Sequence, residues 1–316
     1  MIGIAAIYDG SPGKEEAMSI TSETMRREWK ENDAKRDAGL TTPEDIERRD
    51  NLQYGPDPHW NLLDIYRPKS GHGKKLPVIV SVHGGGWVYG DKDLYQFYGM
   101  TLAQRGFAVV NFTYRLAPEA KFPAALEDTN AVIAWMYEHQ EEYLLDMEHV
   151  FMVGDSAGGH LAGLYTAICT NPDYGSNYDF QVPNGFVPSA VAFNCAAFVL
   201  VGKEVLGASQ DSDLQKDMLP EDAMEAGKLK ELLNVPKFVT DAFPPVFLMT
   251  CEGDFCKAQA PCMEEKLKKH QIPYIYKIYG DKENPLYHVF HVTIQEPMGQ
   301  LCNDEECAFF KKIMEG

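Results

Sequence analysis

A serine stands between two glycines in Gly154-Asp-Ser-Ala-Gly158, directly after the apolar run 150–153 and before an Ala/Leu-rich stretch. That order reads as a strand, a tight turn and a helix with the serine at the turn, the sequence form of a nucleophile elbow. A serine on so sharp a turn holds a strained backbone, and side chains two residues to either side would meet neighbouring main chain. Gly154 and Gly158 remove those side chains and let the Ser156 hydroxyl project. The Ala157 N–H, at the start of the helix, is free to bind an anion. The chemistry in view is acyl transfer, which needs a nucleophile, a base, a group that orients the base and donors for an oxyanion.

Candidates for each part follow. His83-Gly-Gly-Gly-Trp87 comes after the apolar run 78–82, and three consecutive glycines let backbone N–H groups approach a ligand with no side chain between. Gly85 and Gly86 are the expected oxyanion donors, with Ala157 as a third. A rival reading takes Gly84, Gly86 and Gly90 as a dinucleotide turn. That spacing is a weak signal, the next strand ends in no acid, and Trp87 and Tyr89 would crowd a pyrophosphate. Asp254 follows the strand-like run Val246–Cys251 and is the expected acid, with Glu252 as its competitor. The base is His288 or His291 in Tyr287-His-Val-Phe-His291, and spacing from Asp254 suits either. His83 is expected to hold the glycine loop by hydrogen bonds. The chain order Ser, Asp, His is the one an α/β-hydrolase requires.

The elements that must position these residues alternate. Strands are expected at 62–66, 77–82, 107–113, 150–153, Ala190–Asn194, Val246–Cys251 and Tyr274–Tyr279. Helices are expected at 94–105, Ala124–His139, 157–170, 261–270 and near 305–314. The alternation argues for a mostly parallel sheet covered on both faces. Residues 1–55 read as a polar, helix-prone arm, through Met25-Arg-Arg-Glu-Trp-Lys30 and Glu44-Asp-Ile-Glu-Arg-Arg49, and as part of a lid or a loosely attached arm. Residues 203–243 break the alternation and read as a cap insertion over the strand ends. The rest is one α/β domain.

Bulk properties narrow the function. The 316 residues carry 29 basic and 47 acidic side chains, a net charge of −18, which disfavours nucleic acid, anionic lipid and polyanionic substrates. No stretch approaches the length of a membrane span, and residues 1–9 lack the basic start of a secretory signal. The seven cysteines (Cys169, Cys195, Cys251, Cys256, Cys262, Cys302, Cys307) lack zinc-type pairing and fit reduced thiols in a cytoplasmic protein.

Taken together, these residues resemble the hormone-sensitive-lipase-like group of α/β-hydrolase carboxylesterases over about residues 60–300. The resemblance rests on His83-Gly-Gly-Gly-Trp87, Tyr114-Arg-Leu-Ala-Pro-Glu119, Phe122-Pro-Ala-Ala-Leu-Glu-Asp128 and Gly154-Asp-Ser-Ala-Gly-Gly159. It implies an eight-stranded α/β-hydrolase sheet with a helical cap, no cofactor, and oxyanion donors at Gly85, Gly86 and Ala157. In that group the histidine usually precedes Gly-Phe. His288-Val-Phe290 matches with Val in place of Gly, which favours His288 over His291. Asp254-Phe-Cys256 departs from the group's common Asp-Pro-Leu.

The expectation is a serine esterase acting on a small ester of short-acyl or aryl-acyl type, through Ser156, His288 and Asp254. An amide hydrolase with the same triad and a non-catalytic receptor on the same fold are the alternatives. Trp87, Tyr89, Tyr95, Phe97 and Tyr98 could line an acyl pocket or pack under the cap. Homo-oligomerisation is left open.

Overall fold

The computed structural model describes residues 18–200 and 213–315. Eight strands form one sheet: β1 (Ile46–Gln53), β2 (Leu62–Pro68), β3 (Leu76–Val82), β4 (Ala108–Phe112), β5 (Leu145–Asp155), β6 (Ala190–Asn194), β7 (Val246–Cys251) and β8 (Tyr274–Tyr279). Their spatial order is β1-β2-β4-β3-β5-β6-β7-β8. β1 and β2, and β2 and β4, pair antiparallel, and every other neighbouring pair is parallel. This is the α/β-hydrolase architecture expected from the sequence.

The parallel strands are Val-, Ile- and Phe-rich because both faces are covered. Alternate residues go to opposite cores. Val78, Val80, Val110 and Met152 face one, and Ile79, Val109 and Phe151 face the other. The first core is closed by α3 (Ala124–His139), α4 (Ser156–Thr170) and α9 (Ala260–Lys269). The second is closed by α2 (Gln96–Gln104) and α10 (Pro297–Met314), where Phe310 stacks on Phe151 at 4.5 Å. A fully buried phenylalanine of this kind contributes roughly 2–3 kcal/mol of apolar burial. The short α5 (Pro172–Gly175) follows α4.

Two departures from expectation stand out. Residues 44–49 do not form a helix: Ile46–Gln53 is an edge strand carrying a bulge between Arg49 and Leu52. Its Glu and Arg residues are good helix formers, but tertiary pairing with β2 overrides that propensity. Charges on an edge strand also discourage pairing with another chain. The last helix, in turn, starts eight residues before the expected 305, at Pro297.

The arm does contain a helix, α1 (Ile20–Arg36), whose only buried residue is Ser22. Polar bonds, not an apolar stripe, hold it down. Asp217 of α6 (Asp213–Met218) accepts from the Ser19 N–H at 3.3 Å, the Ser19 hydroxyl at 2.6 Å and the Ser22 hydroxyl. Arg26 makes a two-pronged bond to Glu119, at 2.7 Å on each prong, and donates to the carbonyls of Val88 and Ala117. The insertion continues as α7 (Ala223–Lys230) and α8 (Val235–Phe238). Its residues 203–212, like residues 1–17 of the arm, lie outside the described residues.

Candidate active site

Every candidate residue sits at or beyond the carboxyl end of a strand, on one edge of the sheet. This is where open α/β sheets bind ligands. Ser156 follows β5 directly and opens α4 with φ 51°, in the left-handed region. A non-glycine residue there holds stored strain, on the order of 1–3 kcal/mol. The flanking glycines are required by contact. A Cβ on Gly154 would lie 2.5 Å from the Gly158 carbonyl oxygen, and one on Gly158 would lie 2.1 Å from that of Val82.

The glycine loop follows β3. Gly85 and Gly86 have φ 122° and 61°. The Gly85 carbonyl accepts from the N–H groups of Val88 and Tyr89, curling the loop back on itself. Among the described residues the Gly85 and Gly86 N–H groups have no acceptor. The Ala157 N–H, at the head of α4, has no partner one turn earlier in the helix. A Cβ on Gly86 would come within 2.9 Å of Met25 and 3.5 Å of Leu214, so α1 and α6 roof this loop. His83 is fully buried and donates from Nδ1 to the Gly84 carbonyl at 2.7 Å, while Tyr114 stacks on its ring and donates to its carbonyl at 2.9 Å. Burial pushes the His83 pKa down to about 4, so it is a neutral structural group.

Asp254 and His288 are joined. His288 Nδ1 lies 2.6 Å from Asp254 Oδ1, with the carboxylate fully buried and the imidazole 18% exposed. Asp254 also accepts from the Thr250 hydroxyl at 2.6 Å and the Cys256 N–H at 2.8 Å. Burial alone would raise its pKa. The donors from His288, Thr250 and Cys256 outweigh burial and hold it below the ordinary carboxylate value. Since Nδ1 is engaged, the free nitrogen of the ring is Nε2. Phe255 lies over the imidazole face, centroids 3.9 Å apart.

The other two candidates are not in this constellation. Glu252 is paired with Lys257. His291 is fully buried, edge-on to Tyr98, with no hydrogen-bond partner at either ring nitrogen. Burial and the nearby His288 and Arg36 push its pKa down to about 3.

The end of β6 ties the parts together. Ala197 N–H donates to the Ser156 carbonyl at 3.1 Å. Two residues earlier, the Cys195 sulfur, an Asp254 oxygen and a His288 nitrogen lie within 4.8 Å of one another. These three are the one group of potential metal ligands among the described residues. Burial, then Cys251 and Asp254, push the Cys195 thiol well above its ordinary pKa, so it is a neutral thiol. A cation there would have to displace the proton of the Cys195 thiol.

Sequence reasoning assigned no role to Asp155, Thr250 or Cys195, and it treated Tyr95 as one aromatic among five. The signals were slight. Thr250 is the last residue but one of its strand, four residues before Asp254, and Asp155 is an acid after an apolar run. Tyr95 and Tyr98 are buried in the second core, and Trp87 and Tyr89 pack against the first.

The family model described as BD-FAE matches residues 63–267, more than half of the chain, from β2 to α9. The chain belongs to the BD-FAE family. BD-FAE membership agrees with the resemblance to hormone-sensitive-lipase-like esterases. This BD-FAE chain is 33% identical to esterase LipC of Mycobacterium tuberculosis over 127 residues, 40% of this chain and 31% of that protein. It is 28% identical to an acetyl esterase of Salmonella schwarzengrund over 216 residues, 64% of this chain and 62% of that protein. The chain thus spans about a third of the length of LipC and under two thirds of the acetyl esterase. Esterase B from Lactobacillus rhamnosis, solved with a tributyrin phosphonate inhibitor, superposes with a TM-score of 0.85. The two are 26% identical, and the match covers 96% of this chain and 97% of that one.

Proposed function

We propose that this BD-FAE protein is a serine carboxylesterase acting on neutral short-acyl or aryl-acyl esters. The observation that carries the reading is the His288–Asp254 pair, held by a 2.6 Å bond on the strand edge from which Ser156 projects. In the proposed cycle Ser156 Oγ attacks the ester carbonyl carbon and its proton passes to His288 Nε2. The Gly85, Gly86 and Ala157 N–H groups stabilise the oxyanion, each such donor typically contributing about 10²–10³ in rate. The tetrahedral adduct expels the alkoxide, which takes the proton from His288. Water then attacks the acyl-enzyme with His288 again as base, which releases the acid and regenerates Ser156. Asp254 fixes the Nδ1–H tautomer throughout.

The tributyrin phosphonate that inhibits the Lactobacillus esterase is a precedent for a short acyl chain. The net charge of −18 favours neutral over anionic esters. The helix α1 and the insertion bearing α6, α7 and α8 are proposed as the cap, because Met25, Trp29 and Leu214 face Gly86. Seven free cysteines suit a reducing, cytoplasmic setting.

Hydrolysis of p-nitrophenyl esters from acetate to decanoate tests the reading, together with labelling by a fluorophosphonate. Ser156→Ala and His288→Ala are expected to lose about 10⁶ in kcat, and label is expected on Ser156. His291→Ala is expected to keep the chemistry. A folded wild type that neither hydrolyses nor labels would overturn the esterase reading in favour of a receptor.

A further inference from the structure

We propose that Tyr95 is a positioning residue that ties the glycine loop to the nucleophile elbow, so that the Gly85 and Gly86 donors keep a fixed relation to Ser156. The proposal rests on the esterase reading and concerns how that site is held.

Tyr95 stands at the N-terminal cap of α2 and is 8% exposed. Its hydroxyl is used twice. It accepts from the Gly84 N–H at 3.0 Å and donates to Asp155 Oδ2 at 2.7 Å. The directions follow from the atoms, since an amide N–H can only donate and a carboxylate can only accept. One end of the bridge is the residue before Gly85. The other end is the residue before Ser156. Among the described residues, Tyr95 is the one side chain hydrogen-bonded to both segments. The bonds that His83 Nδ1 and the Tyr114 hydroxyl make to the loop do not reach the elbow.

The packing is built around this bridge. A Cβ on Gly84 would lie 2.4 Å from Asp155 Oδ2 and 3.0 Å from the Tyr95 hydroxyl, so the loop backbone rests directly on the pair. The Asp155 side chain makes no capping bond to α4, which leaves it for Tyr95. Burial pushes the Asp155 pKa up to about 6, and the Tyr95 hydroxyl and nearby His288 keep it from rising further. The acceptor is therefore ionised at neutral pH, and a charge-assisted bond of this kind is roughly twice as strong as a neutral one. An oxyanion donor displaced by about 1 Å can lose on the order of 10² in rate. A rigid link between loop and elbow is thus a kinetic asset.

The test compares Tyr95→Phe, Asp155→Asn, their double variant and Tyr98→Phe, with p-nitrophenyl butyrate as substrate and a melting curve for each. Tyr98 is equally buried on the same helix, but its hydroxyl points to Glu306 at 3.4 Å and touches neither loop nor elbow. Tyr95→Phe is expected to lower kcat about 10- to 100-fold with KM within about threefold, and to slow fluorophosphonate labelling in parallel. Tyr98→Phe is expected to keep kcat within about twofold. In the double variant the loss from Tyr95→Phe is expected to shrink, because its partner has already changed. Should Tyr95→Phe be unfolded at the assay temperature, Asp155→Asn carries the test alone, with about a tenfold fall in kcat and unchanged KM expected. A folded Tyr95→Phe or Asp155→Asn with wild-type kcat overturns the proposal. So does an equal loss in Tyr95→Phe and Tyr98→Phe. A wild type that turns over no ester overturns instead the reading on which the proposal stands.

Discussion

The residue after the proposed base shows how a single backbone angle shapes this site. Val289 has φ 55°, the left-handed region, and a β-branched side chain. The resemblance to hormone-sensitive-lipase-like esterases implies glycine at this point, and the angle is one that glycine adopts without strain. For an L-residue this region costs about 1–2 kcal/mol, and more where Cβ is branched. Val289→Gly relieves that strain but adds roughly 0.5–1 kcal/mol of unfolded-state freedom and removes a half-buried side chain. The variant is therefore expected to melt within about 2 °C of wild type or above it. Val292→Gly, three residues on at an equally apolar but ordinary φ, is expected to cost at least ~2 kcal/mol. Equal losses in the two variants would show that Val289 is not strained. The proposed nucleophile Ser156, its glycines and the candidates Asp254 and His288 or His291 could be picked out because each lies in a short local pattern, and the resemblance favoured His288, which the structure joins to Asp254. Tyr95 could not, since its significance depends on meeting Asp155 across 60 residues.

At the scale of elements, one carboxylate joins the two helices that roof Gly86, beside the Arg26 bonds that hold α1 to Glu119, Val88 and Ala117. Asp217 takes bonds from the Ser19 N–H and from the hydroxyls of Ser19 and Ser22, joining the start of α1 to α6. Bonds to a charged group contribute roughly 1.5–3 kcal/mol, and Asp217→Ala would also take the acceptor from the buried Ser22 hydroxyl. The variant is expected to open α1 to trypsin at Arg26, Arg27 and Lys30 at least about tenfold faster. It is also expected to raise KM for p-nitrophenyl esters several-fold with kcat within twofold, and to leave the main melting transition nearly in place. An unchanged KM alongside faster cleavage would remove α1 from the cap. The core strands were legible because burial on both faces leaves continuous Val, Ile and Phe runs. β1 was not, since it has one buried terminus, charged residues and a bulge, and its identity comes from pairing with β2.

For the whole molecule, pH sets two opposing penalties. Buried His83, His160 and His291 have pKa values pushed down to about 4, 4 and 3, so the folded state binds fewer protons than the unfolded chain below the ordinary value of 6.5. Their contribution is intact above pH 6.5 and is lost as pH falls toward 4. Buried Asp155 and Glu306 behave oppositely, with pKa values raised by burial to about 6 and about 7. The folded state holds their protons more tightly, so stability is lost as pH rises through those values. For Glu306 the rise from 4.5 to about 7 corresponds to roughly 3 kcal/mol. Glu306→Gln keeps an acceptor for the Asn194 amide and removes the titration. Its melting temperature relative to wild type is expected to climb between pH 5 and pH 8. A difference that stays flat across that range would mean Glu306 does not titrate in the fold.

The arm also fixes a sequence of events on the ribosome. α1 emerges before every strand of the sheet, yet the carboxylate that bonds its start lies 198 residues later in the chain. At about 5–20 residues per second the helix waits on the order of 10–40 s for its anchor to be made. Val88, Ala117 and Glu119, which receive Arg26, arrive earlier and hold only the middle of the helix. α1 thus precedes the whole sheet and gains its last anchor only after six of the eight strands are made. A nascent chain carries an unroofed glycine loop until α6 clears the exit tunnel.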